Sequence, residues 1–279
     1  MKRFCVIGDP VLHSRSPAIQ NAMIGAVGEK AEYLCQPVKT EELEGFLAAM
    51  RRGEWQGCNV TMPHKAAVIP YLDEVEEGAL RCGAVNTICN RNGKLYGYST
   101  DGEGFLRAMA DAGVTPKGKA VTLLGAGGAA GSVAWALAKA GAKQIFTVNR
   151  TLKKAEELCK LAPGVMTPFG FDGETLCALA KQSDILINAT SLGMGGVSGQ
   201  FEDFAFVEAL PDHGAVFDLI YHPPRTELLR RAQERGLTAE NGLGMLLHQA
   251  VLALEEFLER PLARETVVPA AREALNKLK

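Results

Sequence analysis

The sequence predicts an α/β protein of two domains, an α/β domain at the N-terminus and a doubly wound domain after it. Three observations predict this. Strand-like apolar runs alternate with helical patterns along most of the chain, the rhythm of parallel sheets. The stretch "LLGAGGAAGS" opens a second series of elements with glycines set between a strand and a helix. Finally, 279 residues are enough for two cores at roughly 100 to 200 residues per domain.

Residues 4–8, 32–38 and 57–61 read as strands and alternate with helical patterns at 17–27 and 40–52, which makes the first α/β unit. Pro63 halts the third strand because it has no N–H to give to a ladder. Asn92-Gly93, between two apolar runs, is a hairpin turn. After "TDGEGF" a helix runs to about Ala112, so the first boundary falls between residues 100 and 119. Strands at 120–124, 144–149, 184–189 and 215–221 then interleave with helices at 128–140, 152–161, 173–181 and 224–235, a doubly wound pattern. "GLGMLLHQAVLALEEFLE" and a helix from about Ala263 are expected to return to the first domain. The expected domains are thus 1–101 with 240–279, and 102–239.

Composition narrows the function. A formal charge of −2 and the absence of a long basic run argue against a nucleic-acid partner. Seven cysteines without a C-x-x-C pair, and no secretory signal, read as reduced thiols in a cytoplasmic protein with no structural metal. Residues 120–138 are uncharged, but their four glycines and seven alanines suit a strand, a turn and a helix better than a membrane span. A small-molecule substrate is expected, with the protein acting alone or as a homodimer.

Gly125, Gly127 and Ala130 fill the G-x-G-x-x-[GA] fingerprint of a Rossmann dinucleotide-binding domain. Gly125 permits the tight turn, and Gly127 lets the backbone approach a pyrophosphate. With Ala126, Gly128 and Ala129 they form a loop whose helix offers unpaired N–H groups to the anion. The next strand ends "FTVNRT", without the carboxylate that would grip the ribose hydroxyls of NAD. Asn149, Arg150 and Thr151 stand there, followed by Lys153 and Lys154, which suits the 2′-phosphate of NADP.

The remaining motif is "NVTMPHK" at residues 59–65, where a strand ends and His64 and Lys65 follow. Together with "GDPVLHSRSP", "GAVNTI", "TDGEGF", "GAGGAA", "NRT", "NATSLGM", "DLIY" and "GLGMLLHQ", it makes the chain resemble the shikimate dehydrogenase family from residue 8 to about 250. That resemblance implies an α/β substrate domain and a Rossmann NADP domain facing across a cleft, and reversible NADPH-dependent reduction of 3-dehydroshikimate to shikimate. It implies that Lys65 is a catalytic acid/base paired with Asp101, and it leaves open which of the two transfers the proton. Ser14 and Ser16, two apart on a segment read as extended, would bind the substrate carboxylate; Ser16 also fits the cap of a helix begun by Pro17. Asn59, Thr61, Asn86 and Gln249 match positions that hydrogen-bond the substrate, and Tyr221 matches one near it. Thr190, Met194, Gly242 and Met245 resemble residues lining the nicotinamide, although Met245 also suits core packing. Ser99 and Gln20 depart from the usual asparagine and histidine. A quinate/shikimate dehydrogenase of broader specificity and a non-catalytic NADP-binding module are the competing readings.

Overall fold

Strand β1 (Lys2–Gly8) is buried along its apolar run from Phe4 and pairs in parallel with both β2 (Ala31–Pro37) and β3 (Gly57–Val60). Helices α1 (Ser16–Ala26) and α2 (Leu43–Arg51) make the crossovers. Next come the short β4 (Glu74–Val75) and α3 (Glu77–Cys82), then the hairpin of β5 (Thr87–Arg91) and β6 (Lys94–Tyr98). Asn92 and Gly93 both take positive φ, 54° and 86°, the geometry a two-residue hairpin requires. The six strands form one mixed sheet in the order β2-β1-β3-β5-β6-β4. Ile7, Leu47, Met50, Ile88 and Leu95 lie in the core against it. Helix α4 (Asp101–Asp111) then begins at the aspartate of "TDG".

A second sheet follows, parallel throughout. Its strands are β7 (Ala120–Leu124), β8 (Gln144–Asn149), β9 (Met166–Gly170), β10 (Ile185–Asn188), β11 (Ala215–Asp218) and β12 (Thr238–Asn241), in the order β12-β11-β10-β7-β8-β9. Helices α5 (Gly128–Lys139), α6 (Leu152–Cys159), α7 (Gly173–Ala180), α8 (Ala205–Ala209) and α9 (Glu227–Glu234) connect them. The strand order reverses between β7 and β10, and in such sheets ligands bind at that switch point, beyond the carboxyl ends of the strands.

Helices α10 (Leu243–Leu258) and α11 (Arg264–Asn276) end the chain. Phe257 of α10 stacks on Phe4 of β1 with ring centroids 4.9 Å apart, and α11 packs against α1. This computed structural model describes residues 1–277. It resolves into two compact units, Met1–Gly104 with Leu247–Lys279, and Phe105–Leu246. The units exchange chain inside α4 and α10, a few residues beyond the 101/102 and 239/240 boundaries expected from sequence. Among the described residues no helix is long and apolar enough to cross a membrane.

Candidate functional site

In the first unit, three motifs distant in sequence converge on one carboxylate. "NVTMPHK" leaves the sheet after β3, and His64 closes its turn: the buried imidazole Nε2 donates to Val38 O at 2.7 Å. With that turn held, Lys65 Nζ reaches Asp101 Oδ2 at 2.6 Å, at the first turn of α4. Asn86, from "GAVNTI", donates from Nδ2 to the other oxygen, Asp101 Oδ1, at 2.8 Å. Its amide orientation is set by the backbone, because Thr100 N–H points at Asn86 Oδ1 from 2.9 Å and only an oxygen can accept there. Asp101 is 8% exposed and Lys65 is half-buried, so the pair sits in partly desolvated surroundings where charge-assisted hydrogen bonds are strong.

Gly104 explains the second glycine of "TDGEGF". A Cβ there would lie 2.7 Å from Gln249 N, so its absence lets α4 run against α10 and brings Gln249 beside the Asp101 helix. Thr61 N–H donates to Ile7 O at 2.9 Å, just past β3. Asn59 has both amide hydrogens committed internally, to Asn86 O and Thr87 Oγ1, each at 3.1 Å. Tyr221 belongs to the second unit, in the segment after β11.

The serines differ from their sequence reading. Arg15 is helical (φ −82°, ψ −7°), so the segment is not extended and the simple alternation of faces does not apply. Ser16 is the first residue of α1 rather than its cap, and the residue at the cap position, Arg15, makes no side-chain cap bond. It is Ser14 Oγ that accepts Ser16 N–H, at 3.2 Å, because a hydroxyl two residues upstream reaches the helix start while Ser16's own does not. Both serines remain partly exposed.

The second unit carries the glycine loop at its switch point. Gly125 has φ +103°, and a Cβ there would approach Ala189 O to 2.9 Å, so β7 and β10 close together only with glycine at that turn. Gly127 and Gly128 are exposed and a Cβ on either would meet nothing within 4 Å, which leaves open space at the start of α5. That start has no side-chain cap. Ala126 and Ala129 are half-buried beside it. Asn149 Nδ2 donates to Thr151 O at 2.9 Å, fixing the turn from which Arg150, Thr151 and Lys154 stand exposed. Arg150 also lines a cavity of about 190 Å³ with Phe171, Leu192 and Phe201. Free N–H groups, room for phosphate and exposed cations fit a phosphorylated dinucleotide.

Thr190, after β10, donates from N and Oγ1 to Asn188 Oδ1 at 3.0 and 2.7 Å. Met194 is exposed. Gly242 N–H donates to Ile220 O, tying the start of α10 to the segment after β11. Met245 packs into the core of the unit, the role that the sequence also allowed.

A profile described as the shikimate dehydrogenase substrate binding domain matches residues 6–88, and one described as shikimate/quinate 5-dehydrogenase matches residues 108–194. The NADP(+) shikimate dehydrogenase of Alkaliphilus metalliredigens is 41% identical over 90% of this chain and 89% of its own. The chain belongs to the shikimate dehydrogenase family. Shikimate 5-dehydrogenase from Thermus thermophilus, solved in complex with NADP(H) and shikimate, is 36% identical over 98% of this chain and 100% of its own, with a TM-score of 0.86. The family fold also includes a 5-ketofructose reductase of Gluconobacter, 35% identical over 98% of both chains at a TM-score of 0.85.

Both departures from the usual family pattern have structural partners here. Gln20 is buried in α1 and donates to Ala250 O at 3.0 Å, a clip between α1 and α10. Ser99 N–H donates to Glu76 at 3.3 Å. Sequence reasoning missed several buried polar residues: Tyr33, Thr87 and Thr100 behind Asn59 and Asn86, and Asp218 behind Asn188. For Tyr33, Thr87 and Asp218 the available signal was a polar group in an otherwise apolar strand, which does not say what it bonds, and Thr100, between β6 and α4, gave none.

Proposed function

We propose that the protein catalyses the reversible NADPH-dependent reduction of 3-dehydroshikimate to shikimate, a step toward aromatic amino acids. The observation that carries this reading is the 2.6 Å Lys65–Asp101 pair with Asn86 on the second carboxylate oxygen. Bound NADPH supplies the hydride that the ketone carbon accepts. Lys65 supplies the proton: both oxygens of Asp101 already accept hydrogen bonds, so the transferable proton of the pair rides on the lysine ammonium. As the ketone oxygen gains charge, that ammonium hydrogen-bonds it and then protonates it, an interaction strongest in the transition state. In shikimate oxidation the neutral lysine accepts the hydroxyl proton instead, with Asp101 holding it in line.

The other assignments follow from the same reading. Ser14, Ser16, Thr61, Gln249 and Tyr221 hold the substrate, and Asn86 orients it as well as Asp101. Gly125 to Ala129 and the start of α5 hold the pyrophosphate, while Asn149, Arg150, Thr151 and Lys154 hold the 2′-phosphate and so favour NADP over NAD. Thr190, Met194 and Gly242 line the nicotinamide. Seven free thiols and a charge of −2 support a cytoplasmic enzyme of small-molecule metabolism. The test is the appearance of reduced-nicotinamide absorbance when the protein, NADP and shikimate are mixed. No signal with shikimate, or a preference for quinate with NAD or for 5-ketofructose with NADPH, would overturn the assignment.

A further inference from the structure

We propose that Tyr33, Asn59 and Thr87 are positioning residues, a buried hydrogen-bond relay that acts through Asn86 to hold and polarise Asp101. Tyr33 Oη lies 2.7 Å from Asn59 Oδ1, Asn59 Nδ2 lies 3.1 Å from Thr87 Oγ1, and Thr87 Oγ1 lies 2.9 Å from Asn86 Oδ1. Asn86 Nδ2 completes the path to Asp101 Oδ1 at 2.8 Å. All five residues are buried, Tyr33 and Thr87 completely.

The direction of every bond is forced. Asn59 Nδ2 also faces the carbonyl of Asn86, which can only accept, so the nitrogen of that amide points toward Thr87 and its oxygen toward Tyr33. Asn86 Oδ1 faces Thr100 N–H, which can only donate, so its nitrogen points toward Asp101. Between these two amides, Thr87 accepts from Asn59 and therefore donates to Asn86. Tyr33, facing an oxygen, donates to Asn59. Four donors in series run one way and end on the carboxylate, and hydrogen bonds arranged in that sense polarise one another in a low-dielectric interior. Asn59 spends both its N–H groups on Asn86 O and Thr87 Oγ1, as Asn86 spends its own on Thr100 Oγ1 and Asp101 Oδ1.

The relay serves the reaction proposed above, and its kinetic consequences rest on that reading. Thr87→Val keeps the shape of the side chain and removes the hydroxyl. It is expected to lower kcat for shikimate oxidation by roughly 5- to 50-fold, with KM for shikimate and NADP nearly unchanged, and Thr87→Ser should restore kcat. Tyr33→Phe, at the far end, should lose less, about two- to fivefold, and carries the test should Thr87→Val fail to fold. In an Asp101→Asn background both substitutions should add little, since they act through that carboxylate. A second readout is independent of turnover: hydrogen exchange of the Asn86 side-chain amide, observed by NMR, should be slow in the wild type and in Thr87→Ser, and fast in Thr87→Val. A lowered melting temperature with normal kcat and unchanged Asn86 exchange would overturn the relay. A wild-type protein inactive toward shikimate would overturn the proposed function, and the exchange measurement would still decide the relay.

Discussion

Two buried aspartates, one in each compact unit, share one motif, an asparagine amide on the carboxylate, and differ in the charge of their other partners. Asp101 accepts Asn86 Nδ2, and Asp218 accepts Asn188 Nδ2 at 3.0 Å. Each asparagine in turn receives a threonine on its oxygen, Thr100 for Asn86 and Thr190 for Asn188. Asp101 then has the ammonium of Lys65, whereas among the described residues the further donors to Asp218 are neutral, Thr226 Oγ1 at 2.6 Å and Ile220 N at 3.1 Å. Burial without a cation pushes the Asp218 carboxyl above its ordinary value, against the three donors that pull it down. One carboxylate–amide–hydroxyl arrangement thus occurs in both units, and under the proposed reaction it is the lysine that turns the first into an acid/base site.

The strongest way to break that comparison is to remove the lysine. Lys65→Met keeps the stem and deletes the charge, and kcat is expected to fall by roughly 10² to 10⁴ with KM for shikimate and NADP little changed. Asp101→Asn should give a comparable loss, and the double variant much less than the product of the two, because the groups act as one unit. Steady-state kinetics checks both; a Lys65→Met protein with near-normal kcat would make Asp101 a scaffold like Asp218.

Charge in the second unit should serve binding instead of proton transfer. Arg150→Ala is expected to raise KM for NADP by roughly 10- to 100-fold, the worth of a charge-assisted contact, while kcat and the use of NAD stay close to wild type. Equal losses with both cofactors would remove the 2′-phosphate from its role. A smaller effect belongs to Ser14→Ala, which should weaken shikimate about fivefold and NADP hardly at all. A lower melting temperature with unchanged kinetics would assign the Ser14 hydroxyl to the start of α1 alone.

The subtlest test concerns stability. A carboxyl raised in the folded state binds protons more tightly there than in the unfolded chain, whose ordinary value is 3.8. Its stabilisation is therefore complete below that value and is lost as pH rises through the folded one. Asp218→Asn should remove this decline, so the stability difference between wild type and variant should narrow toward acid pH. Denaturant unfolding across that window measures it, and a pH-independent difference would leave Asp218 without the desolvation that sets it apart from Asp101.

Some elements were legible in the sequence and others were not, and the misses share a cause. The strands that sequence reading passed over, β4, β9 and β12, are all sheet edges. An edge strand pairs on one side and buries little, so β12 is the polar Thr-Ala-Glu-Asn and β9 contains Pro168, which an edge tolerates. Central strands such as β7 and β10 announced themselves by continuous apolar runs. In the candidate site, Lys65, Asp101 and Asn86 were readable because each lies in a motif shared with the shikimate dehydrogenase family. His64 and Thr87 sit within the same motifs, but their tasks depend on Val38 and Asn59, which no local pattern connects to them.

By itself the sequence determined the α/β class, the Asn92-Gly93 hairpin and the glycine turn at residue 125, which follow from local causes, periodicity and positive φ. The pairing of Lys65 with Asp101 came from the resemblance of several motifs to one family, since a lysine past a strand end says nothing locally about its partner. The tertiary structure alone decided which amide faces which carboxylate, that Ser14 and not Ser16 serves the start of α1, and that Asp218 meets neutral donors where Asp101 meets a lysine. Those are questions of donor and acceptor pairing between segments far apart in the chain, and only packing brings such groups within the roughly 3 Å at which a hydrogen bond forms.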